Sequence, residues 1–197
     1  MTVGKKSFLD PSAEALIPAA IAVLAGGRSR RFGSDKKAAI VRGQSLAERA
    51  VQLAASLSRS TMWISDTEAP ATGDALFAYR DIIADLGPLG GLYTALRHCS
   101  GKWLLIMPVD MPNLTAEVFY ALWQHRHTEK PVVVLSDSGL ESLLAIWPCA
   151  LLSRVEAFIE SGARAMHQLY RKCHAQTLDL GKQMPAGVFR NVNRPGD

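Results

Sequence analysis

A chain of 197 residues with 48% hydrophobic content can bury one sizeable core, which predicts one domain at most accompanied by a short appendage. The net charge of +4 is modest and no aromatic-interleaved basic stripe carries it, which excludes nucleic acid as the main partner. Cys99, Cys149 and Cys173 are widely separated and form no C-x-x-C pair, so neither a disulfide framework nor a thiolate zinc site is expected and a reducing, cytoplasmic setting fits. No apolar run has the uninterrupted length of a membrane helix.

Residues 1–18 read as an N-terminal extension rather than a secretory signal, because Asp10, Pro11, Glu14 and Pro18 interrupt the apolar stretch that follows Lys5 and Lys6. The domain is expected to span 19–197. Its first strand, Ile21 to Ala25, reads as buried and parallel, and it breaks at Gly26 and Gly27, where the missing Cβ lets backbone N–H groups approach a ligand. Residues 26–42 then carry Arg28, Arg30, Arg31, Lys36, Lys37 and Arg42 against Asp35 alone. A Walker A loop is absent, since five residues rather than four separate Gly27 from Gly33 and Ser34 and Asp35 stand before Lys36, and no G-x-G-x-x-G occurs. Ligands of open α/β sheets bind beyond the carboxyl ends of strands, so a basic loop at this place predicts a nucleoside triphosphate.

Ala38 to Val41 predict a short strand and Arg42-Gly43 a turn. Ser45 and Glu48 then form a capping box that opens a helix buried through Leu46, Ala50, Leu53 and Leu57. A strand at Met62 to Ile64 precedes a loop over 65–75. Residues 81–91 interrupt the pattern, their Pro and Gly disfavouring helix until Leu92 to His98. Trp103 to Met107 form a strongly apolar strand with Asp110 as the lone charge at its tip. Thr115 is placed to cap a helix buried through Val118, Phe119 and Leu122, and His125 and His127 near its end are read as solvated. Strands at Val132 to Leu135 and Leu140 to Trp147 follow, then helices at Leu151 to Glu160, closed by Gly162, and at Ala165 to Arg171. This alternation predicts an α/β fold with a three-layer, doubly wound, mainly parallel sheet.

Four segments in order carry a resemblance. LAGGRSRRFGSDK from Leu24 to Lys36, DLGPLGG from Asp85 to Gly91, PVDMP from Pro108 to Pro112 and FRNVN from Phe189 to Asn193 resemble the signatures LAGGxSxRMGxDK, D-x-x-GPLAG, P-x-D-x-P and F-x-N-[IV]-N. Those signatures belong to the molybdenum cofactor guanylyltransferase (MobA) family of the MobA-like NTP transferase superfamily. The match spans roughly residues 20–195. It implies a Rossmann-like nucleotidyltransferase fold and transfer of GMP from GTP to the terminal phosphate of molybdopterin or Mo-molybdopterin, with release of pyrophosphate. By this resemblance GTP is contacted by Leu24, Ala25, Gly26, Gly27, Lys36, Ser65, Asp85, Gly87, Pro88 and Asp110. Lys36 and Arg31 would neutralise phosphate charge, Asp110 would hold Mg²⁺, and Asn191 and Asn193 would lie on the pterin side. Molybdoenzyme maturation proteins are implied as partners.

The chain departs from the family at several positions. Phe32 replaces a Met, Ser65-Asp66 stand where an Asn contacts nucleotide, one residue is missing after Asp85, and Glu141-Ser142 precede Leu143 where the family has His-Pro. The donor is therefore better specified than the acceptor. Two alternatives compete. One is cytidylyl transfer to molybdopterin or to a sugar or polyol phosphate, whose enzymes carry Leu-Ala-Ala-Gly at the first loop; the other is a non-catalytic nucleotide-binding regulator, against which Lys36 and Asp110 argue.

Overall fold

The computed structural model describes residues 16–26, 40–41, 43–71 and 76–192. In chain order these form β1 (Ala20–Leu24), β2 (Ile40–Val41), β3 (Gln44–Ser45), α1 (Leu46–Leu57), β4 (Thr61–Ile64), β5 (Leu76–Tyr79), α2 (Pro88–His98) and β6 (Trp103–Pro108). There follow α3 (Ala116–Gln124), β7 (Val132–Ser136), β8 (Gly139–Pro148), α4 (Leu152–Glu160), α5 (Met166–Lys172) and β9 (Gln176–Asp179). Seven strands make one sheet in the order β5-β4-β1-β6-β8-β7-β9. The pairs β1–β4, β1–β6, β4–β5 and β7–β9 are parallel, whereas β8 runs antiparallel to both β6 and β7. The mainly parallel, doubly wound reading holds.

Strand side chains alternate between two cores, as a period of two requires. Ile21, Val23, Leu105 and Met107 pack on one face with Leu46 and Val51 of α1 and Val118, Phe119 and Leu122 of α3. Ala20, Ala22, Leu24, Leu104 and Ile106 pack on the other with Leu89, Leu92 and Leu96 of α2, Val155 of α4 and Leu169 of α5. Both faces of β1 and β6 are thus covered, which explains their continuous apolar runs. Each large side chain fully buried here contributes about 1.5–3 kcal/mol.

Several elements differ from the sequence expectation. The alternation of strand and helix is broken by β7–β8, a hairpin turned at Gly139 with φ 116°. Sequence periodicity reads two apolar strands there but not their direction. Strands β5 and β9 go unpredicted because each is a four-residue edge strand with a half-exposed pattern. Of the strand expected over 38–41, Ile40–Val41 form one, paired antiparallel with Gln44–Ser45 around Gly43, and residues 38 and 39 lie outside the described residues.

Helix α2 begins at Pro88, not Leu92, since proline is tolerated in the first turn where its missing N–H would be unsatisfied anyway. Gly90 and Gly91 are helical because a Cβ would crowd the neighbours: 3.2 Å from the Ile83 carbonyl oxygen at Gly90 and 3.3 Å from Leu24 Cδ2 at Gly91. Close approach of α2 to β1 outweighs their low helix propensity. Thr115 stands at the N-cap of α3 without a side-chain cap bond; its hydroxyl instead hydrogen-bonds Glu117 and lowers that carboxyl's pKa. The capping box of α1 forms as read. Ser45 N–H and Oγ donate to Glu48 Oε2 at 2.8 and 2.9 Å, and Glu48 N–H donates to Ser45 Oγ at 3.2 Å.

Candidate active site

The chain leaves β1 toward β4 and β5 on one side, then crosses back through α2 to β6 on the other. The reversal falls between β1 and β6, and in an open α/β sheet a crevice opens at the carboxyl ends of strands where the order reverses. Register pairs Leu24 with both Ile64 and Pro108, so Gly26 and Asp110 each lie two residues beyond the same level on adjacent strands. Helices α1 and α2 run back against parallel strands, which puts the N-terminus of α2 at this same edge.

Leu24 and Ala25 are buried and Gly26 is exposed, so the strand emerges from the core at the glycine. Ala25 N–H still donates to the Ile64 carbonyl at 2.9 Å, extending the β1–β4 ladder by one step. Ser65 is buried. Its N–H donates to Tyr79 O at 3.0 Å, its hydroxyl reaches Ala25 O at 3.4 Å and Thr67 Oγ1 at 3.0 Å, and Thr67 N–H donates back to it at 3.1 Å. Ser65 therefore ties the tips of β1, β4 and β5 together.

Asp110 is half-buried in the turn that leaves β6. The turn is clamped from two directions: Arg49 of α1 donates from Nη2 to Pro112 O at 3.0 Å, and Val192 N–H donates to Asp110 O at 2.9 Å. Val192 lies within the FRNVN segment, so that motif fastens the Asp110 turn through its backbone. Arg49 carries no motif signal, and only its helical spacing from the capping box could have placed it on this side of α1.

The tip of β5 supplies a carboxylate the sequence reading passes over. Asp85 sits exposed in the approach to α2 with φ 59°, followed by exposed Gly87 and Pro88. Asp81 lies two residues beyond Tyr79, the partner of Ile64. A Cβ built on Gly26 would stand 3.5 Å from Asp81 Oδ2, and one on Gly90 would stand 3.6 Å from its Cγ. Its carboxylate thus lies between the end of β1 and the first turn of α2. Ile82 N–H, donating to buried Thr94 Oγ1 at 3.0 Å, holds the segment on α2. Counting from the Gly-Pro-Leu element favours Asp85; the strand end at Tyr79 is the signal that points to Asp81.

The other half of the sheet edge is built differently. Ser136, Asp137 and Ser138 of the β7–β8 turn line a cavity of about 350 Å³ together with Gly181, Arg190 and Asn191. A Cβ on Gly181 would come within 2.5 Å of Asp137 Oδ1 and 2.8 Å of Asp137 N. Only glycine permits that approach. Glu141 Oε1 accepts from Ser136 Oγ at 2.6 Å, and Ser142 O accepts from the buried Tyr170 hydroxyl at 2.8 Å. The departures Glu141 and Ser142 are therefore engaged inside the hairpin and its support. Gly27, Arg31, Lys36 and Asn193 lie outside the described residues. No helix among the described residues is long and apolar enough to cross a membrane.

Comparison with known proteins gives a consistent pattern. The model of the MobA-like NTP transferase domain matches residues 21–177. A probable molybdenum cofactor guanylyltransferase of Deinococcus radiodurans is 33% identical over 187 residues, covering 92% of this chain and 93% of that protein. A molybdenum cofactor guanylyltransferase of Photobacterium profundum is 26% identical over 176 residues, covering 88% and 90%. Among solved structures, molybdopterin-guanine dinucleotide biosynthesis protein A from Archaeoglobus fulgidus superposes with a TM-score of 0.68 at 22% identity, covering 89% of this chain and 92% of that one. A nucleotidyl transferase from Methanothermobacter superposes with a TM-score of 0.71 at 16% identity, covering 90% and 93%.

Proposed function

Because the chain belongs to the MobA-like NTP transferase family and is a nucleotidyltransferase, we propose that it transfers GMP from GTP to the terminal phosphate of molybdopterin or Mo-molybdopterin. The observation that carries this reading is the placement of the Leu24–Gly26 strand end beside Asp110 at the switch point of the sheet. The names of the relatives, molybdenum cofactor guanylyltransferases, support this choice of substrates.

In this reading a phosphate oxygen of the acceptor attacks the α-phosphorus of GTP as the bond to the β,γ-pyrophosphate breaks. No protein nucleophile is required; the protein aligns the reactants and offsets charge on the leaving group. Gly26 opens the backbone toward the nucleotide, and Ser65 holds the carbonyl side of that strand end in place. Asp81, between Gly26 and α2, is placed to accept from ribose hydroxyls or from guanine N–H groups, and we assign it this part in preference to Asp85. Lys36 and Arg31 would neutralise the phosphates.

Asp110 fits Mg²⁺, since a half-buried carboxylate at a strand tip is a hard oxygen donor and Mg²⁺ usually takes one or two carboxylates together with substrate phosphates. When bound, the metal would supply charge neutralisation at the phosphates. Arg49 and the Val192 N–H keep the Asp110 turn at the strand tip. The β7–β8 turn and Asn191 would receive the pterin. LAGG in place of LAAG favours guanine over cytosine at the donor site.

Calorimetric titration of GTP, CTP and ATP in the presence of Mg²⁺ tests the donor. GTP is expected to bind at least ten-fold more tightly, because the wrong base leaves buried polar groups unpaired. Tighter CTP binding would overturn the guanylyl assignment, and absence of pyrophosphate release with GTP and molybdopterin would overturn the acceptor.

A further inference from the structure

Outside the site, two cysteines some fifty positions apart meet. Cys99 is the C-cap of α2, and Cys149 opens the short 3₁₀ turn after β8. Both are half-buried, whereas Cys173, at the end of α5, is fully buried. The Cys149 thiol donates to Cys99 Sγ at 2.7 Å. A disulfide measures about 2.05 Å, so the two sulfurs need to close by only about 0.7 Å.

The backbone around them is already fixed. Cys149 N–H donates to Lys102 O at 3.0 Å, and Trp103 pairs with Pro148 in the β6–β8 ladder. The Cys99 thiol reaches Trp103 O at 3.6 Å and Gly101 O at 3.7 Å. Both residues thus hang from one pair of strand ends.

We propose that Cys99 and Cys149 are a modification site: on exposure to hydrogen peroxide they form a reversible disulfide that ties the end of α2 to the end of β8. The Cys99 thiolate attacks one peroxide oxygen, giving the sulfenic acid and hydroxide. The Cys149 sulfur then attacks the sulfenic sulfur, its proton leaves with the hydroxyl as water, and the S–S bond closes. Two thiols are oxidised and one peroxide is reduced to two waters. The hydrogen bond from Cys149 lowers the Cys99 pKa to about 7, which supplies the thiolate, and the same contact together with burial raises that of Cys149. The order of attack follows from that asymmetry.

The bond would close a loop of about 50 residues containing β6, the Asp110 turn, α3, β7 and β8, and should raise Tm by about 5–15 °C. The test treats the whole protein with hydrogen peroxide, quenches with catalase, and reads intact mass, alkylation sites and Tm. Expected are a loss of about 2 Da, a bridged Cys99–Cys149 peptide, the rise in Tm, and reversal of all three by dithiothreitol. Cys173→Ser should leave the response intact, while Cys99→Ser and Cys149→Ser should each abolish it. A gain of about 32 Da at Cys99 with Cys149 still free would overturn the proposal, as would a bridge that survives either substitution, because a resolving thiol in contact intercepts the sulfenic acid first.

Discussion

The two halves of the sheet edge reach the site by different means. In β5-β4-β1-β6 all strands are parallel, and each delivers one short tip: Asp81, Ser65, Gly26 and Asp110. In β8-β7-β9 the edge is made by a hairpin turn and by the segment 181–192, which contact each other through Asp137 and Gly181. The parallel half places side chains by register, reinforced by hydrogen bonds at the strand tips, whereas the other half depends mainly on loop-to-loop fit. Polar substitutions should therefore dominate the first half and steric ones the second.

The largest effect is expected at Asp110. Replacing it with Asn keeps the turn clamped by Arg49 and Val192 but removes the charge, and kcat should fall about 10²–10³-fold with a smaller loss of GTP affinity. Wild-type rates with unchanged Mg²⁺ dependence would move the metal elsewhere. Next comes the pair Asp81→Asn and Asp85→Asn, compared by GTP titration. Loss of a charge-assisted hydrogen bond costs about 1.5–3 kcal/mol, so the first should weaken GTP about 10–100-fold, while the second, in an exposed turn, should change it less than about three-fold. The reverse ranking would restore Asp85 to the nucleotide.

Gly181→Ala acts on the other half. A methyl group 2.8 Å from the Asp137 backbone nitrogen forces the β7–β8 turn outward, at about 1–3 kcal/mol, lowering Tm by several degrees and raising KM for the acceptor while GTP affinity stays unchanged. Loss of GTP binding in this variant would show that the halves are not separable. The smallest effect belongs to Ser45→Ala, which removes a cap worth about 1 kcal/mol. The bonds from Ser45 N–H and its hydroxyl lower the Glu48 pKa, so their contribution is present above the ordinary carboxylate pKa and is lost as pH falls through the lowered one. The gap between the thermal melts of the two proteins should narrow as pH falls through that lowered range without closing, because the Glu48 N–H bond to Ser45 Oγ does not titrate.

This contrast also governs what the sequence disclosed. The fold class, the central strands and the capping box of α1 were readable because burial on both faces and capping chemistry leave continuous or fixed-spacing patterns. Gly26 and Asp110 were readable for the same reason, as breaks at the ends of apolar runs. Asp81 was hidden because β5, its supporting strand, exposes Phe77 and has too little apolar signal to mark its own end. The direction of β8 and the contact of Gly181 with Asp137 depend on partners far along the chain, which local periodicity does not encode.

The hydrogen bond from Val192 to Asp110 O has a consequence for the order of assembly. It joins positions about 80 residues apart, and such a contact can form only after the entropy of closing a long loop has been met. During synthesis β1, β4, β5 and β6 emerge well before residue 192, so these strands can pair while the Asp110 turn still lacks its second clamp. The turn becomes fully tethered only when the segment carrying Val192 docks, so the last stretch of the described chain completes a turn laid down some 80 residues earlier.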